Sequence, residues 1–130
     1  YGETYRLQIN ENQSLNINKF WVNFQRQTEF NPAHIHDGIY SFVIWMKIPT
    51  SWEEQSKLPI AVESNVSTCI SNFLFTYTDT LGNIRTFNHI MNKEKEGMMV
   101  LFPASLHHQV YPFYNCDEER ISISGNIVIE

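Results

Sequence analysis

The sequence predicts a mainly β domain of the sandwich or barrel kind, and three observations carry that expectation. β-Branched and aromatic residues fall in short runs separated by turn signals. Helical periodicity is scarce along the chain. Hydrophobic residues make up 42% and aromatics 14% of the composition, enough to fill an interior and unlike a solvating tail. With 130 residues, a single domain over 1–130 is expected, able to bury a core without metal or disulfide staples.

In chain order, strands are expected near Leu7–Ile9, Leu15–Ile17, Phe20–Gln25, Tyr40–Ile48, Phe73–Tyr77, Ile84–Ile90, Met98–Phe102, His108–Tyr111 and Arg120–Ile129. The Gly-Asn of "DTLGN", Asp79 to Asn83, suits a hairpin, and "NKEKEG", Asn92 to Gly97, reads as a charged turn closed by glycine. Two prolines bracket the longest irregular piece, Pro49 to Pro59, a loop of the kind that often serves as a lid. Repeats, coiled-coil heptads and a glycine-rich phosphate loop are all missing from the sequence.

The formal charge is −5, and the close basic pair Lys93 and Lys95 is interleaved with Glu94 and Glu96. No cationic stripe is available to track phosphates, so nucleic acid is not an expected partner. Cys69 and Cys116 have neither metal nor redox spacing and read as incidental thiols of a reducing compartment. No apolar run reaches transmembrane length, and Tyr1 opens neither a charged leader nor a cleavage site. A soluble protein of the cytoplasm is the expectation. Because the first residue is not methionine, a chain lacking an N-terminal segment is also expected.

The stretch "NPAHIHDG", Asn31 to Gly38, holds two of the five histidines. On extended backbone His34 and His36 share a face, about 7 Å apart at the main chain, so both imidazoles can converge on one ion. An isolated H-x-H pair is by itself more often a polar loop entering a strand. A third imidazole, His108, follows an apolar strand and a proline turn in "LFPASLHHQV". Beyond it, "ERISISGN" puts Arg120, Ser122 and Ser124 on one face of a strand and Ile121 and Ile123 on the other. A guanidinium among isoleucines needs an acceptor for its fork of donors. Either one of the protein's own acids, Glu118 or Glu119, or the carboxylate of a small acid fits that need.

The order H-x-H, distant histidine, then R-x-S resembles the Fe(II)/2-oxoglutarate-dependent oxygenases. More narrowly, Trp21 and Asn23, then Asn31, His34 and His36, then Gly97, Phe102 and Pro103, then His108, Val110 and Pro112, then Arg120 and Ser122 resemble a small microbial and phage branch of prolyl-hydroxylase-like members. The likeness covers most of the chain from Phe20 onward and is loose between Thr50 and Glu96. It implies a double-stranded β-helix, a jelly roll or cupin-like barrel, whose mouth holds non-haem Fe(II). It further implies His34 and His108 as iron ligands and Arg120 with Ser122 as the seat of the far carboxylate of 2-oxoglutarate, with Tyr40 or Asn23 adding hydrogen bonds. The commonest pattern of the superfamily has an acid where this chain has His36. A neutral imidazole there leaves the centre one unit more positive. His36 is taken as the third ligand, with Asp37 as its alternative; His89 and His107 are taken as structural. Phe42 stands where relatives tend to carry a small residue, so it either narrows the pocket or fills a neighbouring core position.

The resemblance implies a hydroxylase of unactivated C–H bonds that consumes O₂ and 2-oxoglutarate, with a protein or peptide side chain such as proline, or a small metabolite, as substrate. Two other readings stand beside it: a non-catalytic jelly-roll binding or structural module of phage origin, and a three-histidine cupin-like metalloenzyme that does not use 2-oxoglutarate. The apolar face formed by Ile121, Ile123, Ile127 and Ile129 must be covered, by an N-terminal segment, by the loop around Trp52 or by a partner copy in a homo-oligomer.

Overall fold

A computed structural model describes residues 12–130 and has eight strands in two four-stranded antiparallel sheets. The first sheet has the order β1-β8-β3-β6, from β1 (Leu15–Gln25), β8 (Arg120–Ile129), β3 (Tyr40–Lys47) and β6 (Met99–Pro103). The second has the order β2-β7-β4-β5, from β2 (Asn31–His34), β7 (His107–Val110), β4 (Phe73–Thr78) and β5 (Ile84–His89). The architecture is jelly-roll-like, two open sheets face to face without closure into a barrel. Among the described residues, no helix is long and apolar enough to cross a membrane.

Side chains from both sheets form the core. Val43 and Trp45 of β3, Phe73 and Phe75 of β4 and Phe102 of β6 pack with Ile48 and Met91, all buried. Trp45 meets Phe73 edge-on at 5.5 Å between ring centroids, and Phe73 meets Phe75 edge-on at 5.1 Å, the arrangement favoured by the ring quadrupoles.

Most expected strands form within a residue or two. The two expected pieces Leu15–Ile17 and Phe20–Gln25 are one strand, β1, because the register with β8 shifts between Ile17 and Lys19. An extra residue at a bulge flips the alternation, which makes one strand read as two. The segment Asn31–His34 was not expected as a strand, since Pro32 and Ala33 have little β preference; pairing with β7 supplies what propensity does not. The segment from Pro49 to Pro59 is not an open loop. It holds α1 (Trp52–Gln55) and the start of α2 (Pro59–Glu63), with Pro59 in the first turn, where a missing N–H costs nothing. Nor is it a free lid: the buried Gln55 donates to the Tyr114 carbonyl at 2.7 Å and accepts the Tyr114 N–H at 2.9 Å, while the Trp52 indole donates to the Ser67 carbonyl at 3.1 Å. The expected strand Leu7–Ile9 lies outside the described residues.

Two glycines shape the end of the molecule that matters below. Gly38, between β2 and β3, has φ +106°, and a Cβ there would stand 2.8 Å from the Ile127 carbonyl oxygen. Gly125 lies under the Phe42 ring, where a Cβ would come within 2.6 Å of two ring carbons and 2.7 Å of the Lys19 carbonyl oxygen. Phe42 thus occupies the space that a side chain at 125 would need. Gly125→Ala is expected to destabilise the protein by about 1–3 kcal/mol through overpacking, read as a lower urea midpoint at unchanged slope; an unchanged midpoint would contradict this packing.

Candidate metal centre

Strand pairing brings the histidines together. His34 ends β2 and is the direct cross-strand partner of His108 on β7. His36 follows two residues later, its N–H donating to the Ala104 carbonyl at 2.9 Å. The imidazole centroids are 4.2 Å apart for His34 and His108, 5.0 Å for His34 and His36, and 4.9 Å for His36 and His108. One nitrogen from each ring lies within 4.8 Å of the others. Asp37 is exposed and not part of this group. His89 sits apart among the rings of Trp45, Phe73, Phe75 and Phe87, and His107 is exposed on the opposite side of β7.

Hydrogen bonds fix two of the tautomers. Nδ1 of His34 lies 2.7 Å from the Pro32 carbonyl, and Nδ1 of His108 lies 2.9 Å from the Leu106 carbonyl. A carbonyl oxygen only accepts, so each Nδ1 carries a proton, and in the neutral form of either ring the lone pair is on Nε2. Burial pushes His108 down to about 4, assisted by the neighbouring His34, His36 and His107 and opposed by the Leu106 carbonyl. Burial also lowers His36, with His34 adding to the effect and Asp37 opposing it. Three imidazoles with a nitrogen each within 4.8 Å of the others are, in their neutral forms, a donor set that a divalent transition metal takes.

Arg120, at the start of β8, lines the same cavity and is 3% exposed. Its Nη1 donates to Gln25 Oε1 at 3.3 Å and its Nη2 to the Ser71 carbonyl at 2.7 Å; Nε is buried with no partner. The guanidinium lies 5.2 Å from the Phe113 ring centroid. Neither neighbouring acid reaches it. Glu118 pairs with Lys47 at 3.0 Å and Glu119 with Arg26 at 3.1 Å. Burial lowers its pKa to about 10, the mark of a cation removed from water without a counter-charge.

The cavity has a volume of about 610 Å³. Ser122 and Ser124 share its wall with Asn23, whose amide donates to Ser122 Oγ at 3.4 Å and Ser124 Oγ at 3.2 Å. Phe42 also lines it. Tyr40, paired with Pro103 and Ile127 across β3, does not. Two contributors escape the sequence reading: Gln25, which accepts from Arg120, and Ser71, which acts through a carbonyl that no residue type announces. Gln25 alternates with Trp21 and Asn23 along β1, a period-two pattern that could have singled it out. Trp21 itself lies 5.5 Å from His36, ring to ring.

A family model described as "Putative 2OG-Fe(II) oxygenase" matches residues 19–126. No curated protein matches the chain.

Cobalt(II) titration followed by absorbance tests the donor set. Ala in place of His34, His36 or His108 is expected to weaken binding by more than the ~10–100-fold typical of residues outside the ligand shell, with Asp37→Ala within about twofold of the parent. A greater loss in Asp37→Ala than in His36→Ala would exchange their roles.

Proposed function

The chain belongs to the 2OG-Fe(II) oxygenase family, and on that premise we propose that it is a 2-oxoglutarate-dependent Fe(II) hydroxylase whose metal is held by His34, His36 and His108. The observation that carries the reading is Arg120, a buried guanidinium with an unsatisfied Nε, no carboxylate partner among the described residues and a place on the wall shared with the three histidines. A buried unpaired ion costs several kcal/mol. An incoming carboxylate offsets that cost, so Arg120 is suited to the far carboxylate of 2-oxoglutarate, with the Ser122 hydroxyl beside it.

The residues fit both groups. The Nε2 atoms of His34 and His108, with His36, would hold Fe(II), and Asn23, through its bonds to Ser122 and Ser124, would orient hydroxyls toward the cosubstrate. Iron, when bound, supplies the activation of O₂ that aliphatic side chains cannot perform. The overall reaction consumes 2-oxoglutarate, O₂ and R–H and yields succinate, CO₂ and R–OH. One oxygen atom enters succinate and the other the product alcohol. The chain itself would anchor the cosubstrate by Arg120, favours the neutral forms of His36 and His108 by burial and lines the reaction space with Trp21, Phe42 and Phe102, which limits water.

Three uncharged ligands leave the full dipositive charge of the ion uncompensated by the protein, which favours a dianionic cosubstrate over the neutral ligands a two-histidine, one-carboxylate site tolerates. The replacement of the usual acid by His36 also favours a second reading, a three-histidine enzyme that does not use 2-oxoglutarate and recognises a substrate acid by Arg120. A purely structural module gains nothing from a buried, unpaired Arg120. Within the family we favour the microbial and phage prolyl-hydroxylase-like branch, a single domain over 1–130, and a cytoplasmic site in a bacterium or phage-infected host. The two free, half-buried thiols Cys69 and Cys116 accord with a reducing compartment. Self-association into a homo-oligomer accords with the exposed Ile17, Phe20 and Val22 on β1.

Anaerobic Fe(II)-loaded protein is expected to develop a weak visible charge-transfer band with 2-oxoglutarate and, in air, to release CO₂ from it. Arg120→Gln is expected to weaken 2-oxoglutarate binding by roughly 30-fold or more, the loss of about 2 kcal/mol or more that follows truncation of one partner in a buried charge pair, while metal uptake persists. Iron uptake without the band would favour the cosubstrate-free enzyme; no iron uptake would sink both.

A further inference from the structure

We propose that the outer part of the cavity binds an aliphatic cation, an ammonium or a guanidinium, with Glu29 as its counter-charge and Phe30 as its apolar flank. This rests on the oxygenase reading in one respect: it makes the cation part of the substrate.

Histidines aside, the ionisable residues that line the cavity, among the described residues, are Arg120 and Glu29. They differ in depth as well as sign, for Arg120 is buried and Glu29 is exposed. A dicarboxylate drawn to Arg120 gains nothing from Glu29 and is repelled by it. Glu29 therefore suits a second ligand of opposite charge. None of the cations paired within the described residues uses it: Arg26 pairs with Glu119, Lys47 with Glu118 and Arg85 with Asp79.

The loop holds Glu29 in place before any ligand arrives. Glu29 Oε2 accepts the Arg26 N–H at 2.8 Å, and Gln25 Nε2 donates to the Glu29 carbonyl at 2.7 Å. Thr28 has φ +70°, a conformation that a β-branched residue adopts only when its surroundings impose it. Its N–H donates to the Phe113 carbonyl at 2.8 Å. Gln25 reaches both charges, accepting from Arg120 by Oε1 and donating to the Glu29 main chain by Nε2. One side chain thus fixes the buried cation relative to the rim that carries the anion.

Phe30 lines the same cavity while remaining 66% exposed. Aromatic faces attract alkylammonium and guanidinium groups and cover their methylenes. The cavity, at about 610 Å³, is in the range that accommodates sizeable ligands and leaves room beside a five-carbon dicarboxylate. A lysine or arginine side chain in a peptide and the corresponding free amino acid share this chemistry.

The test is an NMR titration, sensitive to millimolar affinities, of protein loaded with Zn(II) and 2-oxoglutarate, repeated on metal-free protein alone. The probes are acetylated, amidated Gly-Lys-Gly, its norleucine counterpart lacking the ammonium, and free L-lysine. The lysine peptide is expected to bind roughly tenfold more tightly than the norleucine peptide. That preference should fall below about twofold in Glu29→Gln, whose amide oxygen still accepts the Arg26 N–H, and should shrink with added salt. Tighter binding of free lysine than of the peptide would support the proposal with a metabolite as the source. Lack of preference for the ammonium in the parent protein, or a preference that survives Glu29→Gln, would overturn it. Failure of 2-oxoglutarate to bind, with ammonium selectivity intact, would remove the oxygenase reading and support the cation site by itself.

Discussion

The site depends on a cation that the described residues bury and do not neutralise. Arg120 begins β8, which lies between β1 and β3 and contributes Ser122 and Ser124 to the same wall. Gln25, Ser71 and Phe113 satisfy the guanidinium in part, by an amide oxygen, a carbonyl and a ring face. All three are uncharged, so they orient the fork without cancelling its charge. The nearby acids are spent on surface cations, Lys47 and Arg26. An arrangement of this kind is costly to an empty protein and favourable to one that holds an anion, which is how differential binding is built into a fold.

The histidine cluster obeys the complementary rule. Burial lowers both His108 and His36 and so favours their neutral forms. The carbonyls of Pro32 and Leu106 then decide which nitrogen of His34 and of His108 is free. The histidines and the buried positive charge line one cavity, and in the proposed function an anion would reach from a metal on the former to Arg120.

Much of this was legible in the sequence because alternation is local. The run from Arg120 to Ile129 reads directly as a strand with Arg120, Ser122 and Ser124 on one face, and H-x-H states its own geometry once the backbone is extended. What the sequence hides is whatever depends on a partner far along the chain. β1 reads as two pieces because of a bulge between Ile17 and Lys19, and β2 is extended by its pairing with β7 despite Pro32. The short helices after Pro49 are held by the exchange between Gln55 and Tyr114 and by the bond from Trp52 to Ser67. The carbonyl of Ser71 carries no sequence signature at all. The fate of Glu118 and Glu119, both plausible partners for Arg120 by proximity in the chain, is likewise settled by side chains from β1 and β3.

The claim that Arg120 exists to receive the distal carboxylate of a 2-oxo acid is tested most directly by calorimetry on Mn(II)-loaded protein, comparing 2-oxoglutarate with 2-oxopentanoate, which keeps the metal-chelating end and replaces the far carboxylate by a methyl group. The account predicts that 2-oxoglutarate binds roughly a hundredfold more tightly, in keeping with a desolvated charge-assisted pair. Equal affinities would contradict it and leave the buried guanidinium without a ligand.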